Sequence, residues 1–376
     1  MNQELQIQLL EELLGLKQQS ALFLDDQPTT NAVSHYVDPA RFQREQEQVF
    51  ARHPQVIAHV SELSEPNSYM RVSARGLPLL LLRGDDGQLR VFLNVCRHRG
   101  TRLVDGDSGC RKRFSCPYHG WTWNSRGEFV NAPHFEAGFP GTDPAELGLK
   151  TVPAIERHGF IWLLPERDEA PDPTDFFSAI DDDLAWVGID QLTVHQSEWQ
   201  ERRCNWKMLV EGGLEAYHFR VAHRKTIAKR FNDNLSSYHT LGPHLRSILP
   251  RSSIVELEGQ PKDTWDIRQH ANVLYTLFPK SMLLVQADHV IWISVEPQAP
   301  DLSLVRMTTL IPRETEQSQD YWDKNHELTV TTLNEDFDLA ESIQSGLTSG
   351  ANDRLRFGRY EGALNVFNDN VESCLR

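Results

Sequence analysis

Two short segments constrain this chain more than any other feature. Cys96-Arg97-His98 is followed, after 17 residues, by Cys116-Pro117-Tyr118-His119. Each segment offers one thiolate and one imidazole, so the fold must set the two segments face to face before the four donors can serve one centre. Four such donors suit a [2Fe–2S] cluster, with Cys96 and Cys116 on one iron and His98 and His119 on the other. Neutral imidazoles in place of two thiolates reduce the negative charge and raise the reduction potential, which makes the cluster an easy electron acceptor. A zinc site of two cysteines and two histidines draws on the same residue types. The alternation of Cys and His within each segment, with Pro117 and Gly120 as turn formers, favours the cluster. Cys110, Cys204 and Cys374 have no ligand-like partners at useful spacing and read as ordinary core or surface cysteines.

A length of 376 residues leaves room for two or three domains. Around the cysteine segments the sequence is β-rich. The stretch Tyr69 to Asn94 reads as two strand-like runs flanking Gly84-Asp85-Asp86-Gly87, a hairpin signal. Phe114 to Cys116, Trp121 to Trp123 and Phe160 to Leu164 are further short strands, with Asn124-Ser125-Arg126-Gly127 as a turn. A small β domain is therefore expected over residues 45–165. The segment PERDEAPDP, residues 165–173, reads as a surface linker into a second domain over 166–376. That domain is expected to be α+β: helical spacing over Arg203 to Tyr217 and Gln319 to Leu347, strands in Ser281 to Val295 and Leu304 to Ile311.

Charge excludes some functions. The formal net charge is −15, which repels nucleic acid and anionic membrane surfaces. Residues 1–20 carry Leu5, Leu9, Leu10, Leu13 and Leu14 at helical spacing, with acidic residues where a signal peptide needs basic ones. They read as an amphipathic helix, and residues 1–44 as a helical segment packing on the second domain. No apolar run is long enough to span a bilayer. Five cysteines without a secreted disulfide spacing fit a soluble protein of a reducing cytoplasm.

The second domain holds a further donor pair. His218 and His223 are spaced i, i+5, about 140° apart on an unbroken helix. They converge only if the helix bends or ends nearby. Taken alone they read as two ordinary histidines. With a carboxylate they would make the facial triad of a non-haem iron(II) site, leaving coordination positions open for O2. Glu215, at i, i+3 from His218, shares its helical face and can accept from the imidazole nitrogen that a metal does not use.

The CRH and CPYHGW motifs at residues 96–98 and 116–121 resemble those of Rieske domains in ring-hydroxylating and related oxygenases. Glu215, His218 and His223 extend that resemblance over most of the chain. It implies an N-terminal Rieske domain with a [2Fe–2S] cluster, and a helix-grip catalytic domain, an antiparallel sheet around a long helix, with mononuclear Fe(II). It implies Asp336 as the third iron ligand, with Glu335 and Asp338 as neighbouring alternatives. It further implies a head-to-tail homotrimer in which one subunit's cluster faces its neighbour's iron, and Glu215 as the bridge between them. Most chains of this kind carry aspartate there. Glutamate is similar to the subset acting on carnitine and glycine betaine. Gly212-Gly213 also departs from the common pattern and either permits a bend or allows close packing.

No strand-linked nicotinamide or flavin fingerprint is present, so electrons are expected from a separate NAD(P)H-dependent reductase, with or without a ferredoxin. The substrate would be a small organic molecule, with quaternary ammonium or betaine compounds favoured and aromatic rings or aromatic acids as the alternative. Trp199, Trp206, Tyr217, Phe219, Tyr238 and Trp292 are candidates for a cation–π cage, although each taken singly reads first as core. Arg220, Arg224, Arg246 and Arg251 are candidates for holding an acid. A Rieske electron carrier would need only the first domain, and a helix-grip binding protein only the second.

Overall fold

The run of consecutive leucines in Leu77–Arg83 organises the smaller of two compact units, Pro54–Ala170. Successive side chains of a strand point to opposite faces. Leu80 and Leu82 therefore enter one core with Tyr69, Phe92, Phe114 and Trp123, while Leu79 and Leu81 enter another with Ile57, Val72 and Ile161. The strand lies in a four-stranded antiparallel sheet in the order Leu89–Leu93, Leu77–Arg83, Ser68–Ala74, Ser108–Cys110. Two three-stranded sheets complete the unit. One joins Ala154–Arg157, Phe160–Leu163 and Gln55–His59, and the other Arg113–Ser115, Thr122–Asn124 and Phe129–Asn131. The computed structural model describes residues 1–165 and 173–376, so nearly all of the expected linker lies outside the described residues.

The region Tyr69 to Asn94 forms three strands rather than two. The turn at Gly84 to Gln88 is where the sequence places it, with Gly87 at φ +75°. A second reversal occurs at Arg75-Gly76, both at positive φ. Arg lacks the turn preference of Asn or Asp at such a position, which hides this hairpin from a sequence reading.

The larger unit combines Met1–His53 with Pro171–Arg376. Its centre is a seven-stranded antiparallel sheet in the order Leu192–Arg202, Leu302–Pro312, Val290–Ala299, Ser281–Val285, Ala271–Leu277, His244–Pro250, Ser237–Leu241. The strand region expected over Ser281 to Val295 is a hairpin, turned at Gln286 to His289. Helix α1, Gln3–Gln18, buries Leu9, Leu10, Leu13 and Leu14 and is capped by the Asn2 side chain. Helix α2 is Trp206–Glu211 and α3 is Phe219–Ala222. Helix α4, Gln319–Leu347, runs 29 residues from a Ser318 cap, and packs on strands Leu192–Arg202 and Leu302–Pro312 and on α2. Helix α5, Gly362–Cys374, follows. Among the described residues no helix is long and apolar enough to cross a membrane.

Residues 45–53 belong to this larger unit, so the β unit begins later than residue 45. The reason is electrostatic. The Glu45 carboxylate is fully buried and takes hydrogen bonds from Lys207 Nζ at 2.7 Å, Trp206 Nε1 at 2.8 Å and Arg41 Nε at 3.1 Å. Burial pulls the Lys207 pKa down, and the Glu45 charge opposes that pull. Removing either partner of such a pair strands a charge out of water, which costs about 3–5 kcal/mol.

Glu211, at the end of α2, is another buried acid. Its Oε1 accepts from Tyr36 Oη and Asn368 Nδ2, both at 2.7 Å. Burial nevertheless pushes its pKa up to about 7 from the ordinary 4.5. A carboxyl raised in the folded state stabilises below its unfolded pKa and loses that contribution as pH rises through its folded value. Thermal midpoints of wild type should therefore fall between pH 4.5 and 7 relative to those of Glu211→Gln. A constant difference between the two proteins across that range would contradict the assignment.

Candidate metal centres

The two cysteine segments fold into near-identical loops. In the first, Gly100 N donates to Cys96 O at 3.0 Å and Cys96 N to Thr101 O at 2.8 Å. In the second, Gly120 N donates to Cys116 O at 3.0 Å and Cys116 N to Trp121 O at 2.7 Å. Gly100 and Gly120 take φ of +78° and +70°, a conformation that costs other residues energy. Cys96 and Cys116 are buried, His98 is half-buried and His119 is exposed. The His98 ring stacks on Trp121 at 4.8 Å and lies 4.9 Å from the His119 ring.

Two observations test which group fits. His98 Nδ1 is buried and has no hydrogen-bond partner, as expected of a nitrogen aimed at a metal. Zinc would draw all four donors onto one point. Among the described residues, His218, His223 and Asp336 are the only group of three or more such side chains with ligand atoms all within 4.8 Å of one another. Cys96, His98, Cys116 and His119 do not converge in that way, which fits a two-iron cluster and not a single zinc ion.

The second centre is built where a helix stops. Asn205 caps α2 by accepting from Lys207 N at 3.1 Å, and α2 ends at Gly212 instead of running on to Tyr217. A Cβ on Gly213 would sit 3.0 Å from Leu274 Cδ2 and 3.2 Å from Met282 Sδ, so this glycine serves the chain's close approach to the sheet. His218 and His223 then flank the single turn of α3, one at each end. Their Nε2 atoms are 3.1 Å apart. Asp336, on α4, brings Oδ1 to 3.0 Å from His223 Nε2 and 3.4 Å from His218 Nε2.

Glu215 reaches His218 by a route different from the expected shared helical face. It lies in the loop between α2 and α3, buried, where its carboxylate accepts from the backbone N–H of Tyr217 and of His218 and contacts His218 Nδ1. Glu335, weighed as an alternative ligand, instead turns to the far side of His223. Its Oε2 lies 2.8 Å from His223 Nδ1 and accepts from Thr226 Oγ1 at 2.6 Å. Adjacent helix residues point about 100° apart, so Asp336 and Glu335 cannot both face one ion. Asp338 pairs with Arg202 at 2.9 Å. Each imidazole thus has a carboxylate on its Nδ1, the outer support that fixes a ligand's tautomer and orientation. Sequence reading missed this role of Glu335 and Thr226, because nothing in spacing shows that α4 passes behind the turn at His223.

A chamber of about 90 Å³ adjoins His223 and Asp336. Met208 and Leu209 of α2, Leu249, Leu274 and Ile293 of the sheet, and Leu333 and Phe337 of α4 wall it. Of the six aromatic residues weighed for a cage, only Phe219 lines it. Trp206 is bound to Glu45, Tyr238 to Asp25, and Trp199 and Trp292 lie against Arg306. Tyr217 is exposed against Tyr360.

An antiparallel sheet crossed by a long helix, with two histidines and an aspartate converging beneath it, and a separate Cys/His clasp domain, define an oxygenase of Rieske type. Residues 189–376 match the ring hydroxylating alpha subunit catalytic domain, and residues 53–153 the Rieske [2Fe-2S] domain. The chain belongs to the ring-hydroxylating alpha-subunit family, an oxidoreductase that incorporates O2 and binds a [2Fe–2S] cluster and mononuclear iron.

It is 26% identical to the glycine betaine monooxygenase oxygenase subunit of Chromohalobacter salexigens, over 84% of this chain and 79% of that one. It is 40% identical to the large oxygenase component of the 2,4-dinitrotoluene dioxygenase system of a Burkholderia species, over 50% of this chain and 43% of that one. In fold it is similar to a quaternary ammonium Rieske monooxygenase whose structure addresses carnitine oxidation and inter-subunit electron transfer. The TM-score is 0.80 at 23% identity, covering 92% of this chain and 95% of the other.

Asp336→Ala should lower iron from about three to about two atoms per chain while the cluster's visible absorption persists. Glu335→Gln should weaken binding of the mononuclear iron about 10- to 100-fold. Metal analysis after dialysis checks both, and full iron retention in Asp336→Ala would remove it from the ligand set.

Proposed function

We propose that this chain is a terminal oxygenase that takes electrons from an NAD(P)H-dependent reductase, with or without a ferredoxin, and inserts oxygen from O2 into a small organic substrate. The observation that carries the reading is the convergence of His218 Nε2, His223 Nε2 and Asp336 Oδ1 beside an apolar chamber. In this reading Cys96, His98, Cys116 and His119 hold the [2Fe–2S] cluster. His218, His223 and Asp336 hold Fe(II), which supplies the redox chemistry for O2. These three side chains would hold the ion and leave coordination positions for O2. The aliphatic walls exclude water, and Glu215 and Glu335 keep each imidazole's Nε2 turned to the metal.

The preferred substrate is a quaternary ammonium or betaine compound, oxidised by monooxygenation or oxidative demethylation. The glycine betaine relative supports it, as does a glutamate at position 215. The chamber supports a second reading, hydroxylation of an aromatic or hydrocarbon body, because its walls are aliphatic and Phe219 and Phe337 are its aromatic side chains. A substrate panel with a reconstituted reductase separates the two. Product formed per O2 consumed is the quantity to score, and O2 uptake without product from either class would contradict both.

Glu215 is the proposed link between centres. The exposed His119 and the inter-subunit electron transfer addressed for the structural neighbour support a head-to-tail homotrimer in which the partner subunit's cluster delivers electrons near this residue. None of the five cysteines forms a disulfide, which suits a cytoplasmic setting. Glu215→Gln, loaded to full occupancy of both metals, should slow single-turnover oxidation of the reduced cluster about 10- to 100-fold. A native rate in that variant would end the bridging role.

A further inference from the structure

A second cavity, of about 460 Å³, opens beside the chamber and shares Ile227, Leu284, Thr332 and Leu333 with it. Its outer wall has different chemistry. Lys229, Arg230 and Arg251 line it against one carboxylate, Asp288, on a chain whose formal net charge is −15. Asp288 is already engaged, by His289 Nδ1 at 2.7 Å and Tyr321 Oη at 2.5 Å. The local charge is therefore positive where the rest of the molecule is negative.

Arg251 stands out among these cations. Lys229 and Arg230 are exposed, whereas Arg251 is half-buried. Its Nε and Nη2 donate to Asn272 Oδ1 at 3.2 and 2.7 Å, so a neutral amide orients the guanidinium without neutralising it. It makes no salt bridge among the described residues. Burial pulls its pKa down, with Asp288 opposing and Arg230 adding to the pull. The other arginines weighed for this role are placed elsewhere: Arg220 pairs with Asp233, Arg246 with Asp183, and Arg224 lies outside both cavities. Each terminal nitrogen of Arg251 keeps an N–H for a ligand, and a guanidinium fork matches a planar carboxylate.

We infer that Arg251 anchors the carboxylate of an organic acid in the outer cavity, so that the acid's other end enters the chamber beside His223 and Asp336. The inference rests on the oxygenase reading above and narrows both of its substrate classes to acids. Carnitine and glycine betaine carry a carboxylate beside the ammonium group, and an aromatic acid carries one beside its ring. Lys229 and Arg230 at the rim would raise the local concentration of such anions.

The test is calorimetric titration of the holoenzyme with carnitine, glycine betaine, benzoate and hexanoate, each beside its methyl ester. At least one acid should bind wild type roughly 30-fold more tightly than its ester, the effect of one desolvated charge contact. Arg251→Leu should abolish that preference. Arg251→Lys should restore part of it, since lysine keeps the charge and loses the fork. Equal binding of every acid and its ester to wild type overturns the inference without recourse to a variant. So does an acid preference that survives in Arg251→Leu. If neutral compounds give product while no acid binds, the anchor falls and the oxygenase reading stands. If neither acids nor neutral compounds give product with the reductase, the oxygenase reading falls too.

Discussion

Two imidazole nitrogens held 3.1 Å apart, with a carboxylate oxygen 3.0 and 3.4 Å from them, form the constraint on which the catalytic unit depends. Three lone-pair donors repel unless a cation or proton lies among them, so the surrounding structure must force the arrangement. The force comes from three directions. Glu215 accepts backbone N–H groups and fixes the start of α3, Glu335 and Thr226 hold the back of His223, and α4 fixes Asp336 through a buried face that includes Phe337 and Ala340. A long helix is well suited to this duty, because its i, i+3 and i, i+4 neighbours lock one residue's direction from both sides.

The support extends further than the second half of the chain. Helix α2 delivers the loop that carries Glu215, and it is tied at both ends to the N-terminal segment. Lys207 and Trp206 bond to Glu45, and Glu211 bonds to Tyr36. These are buried polar contacts of fixed geometry, and they specify where α2 sits more tightly than apolar packing alone would. The first 53 residues thus belong physically to the iron site's scaffold, although a reading along the chain meets them before the cluster domain.

What the sequence reveals follows from how local each signal is. The cysteine loops are legible because the two candidate donors of each loop lie within four residues of one another, and their left-handed turns show as Gly100 and Gly120. His218 and His223 are legible as a pair, and their spacing alone demands that a helix bend or end nearby, as α2 does at Gly212 before them. Asp336 is legible only through the family resemblance, since more than 100 residues separate it from the histidines. The support given by Glu335, the buried site of Glu45 and the distribution of aromatics depend on which helix crosses which strand. Periodicity does not encode that. Trp206 and Trp292, each read singly as core before cage, are buried in the core.

The two cluster loops share one feature whose consequence lies in electron exchange. Each closes on itself through backbone hydrogen bonds between the cysteine and the residues four and five positions later, so its shape does not depend on what the thiolates hold. Donors mounted on such a self-braced frame shift little when the charge between them changes by one. Little motion means a small reorganisation barrier. The burial of Cys96 and Cys116 against the exposure of His119 then gives the frame a direction, with an insulated thiolate side and a histidine side open to a redox partner.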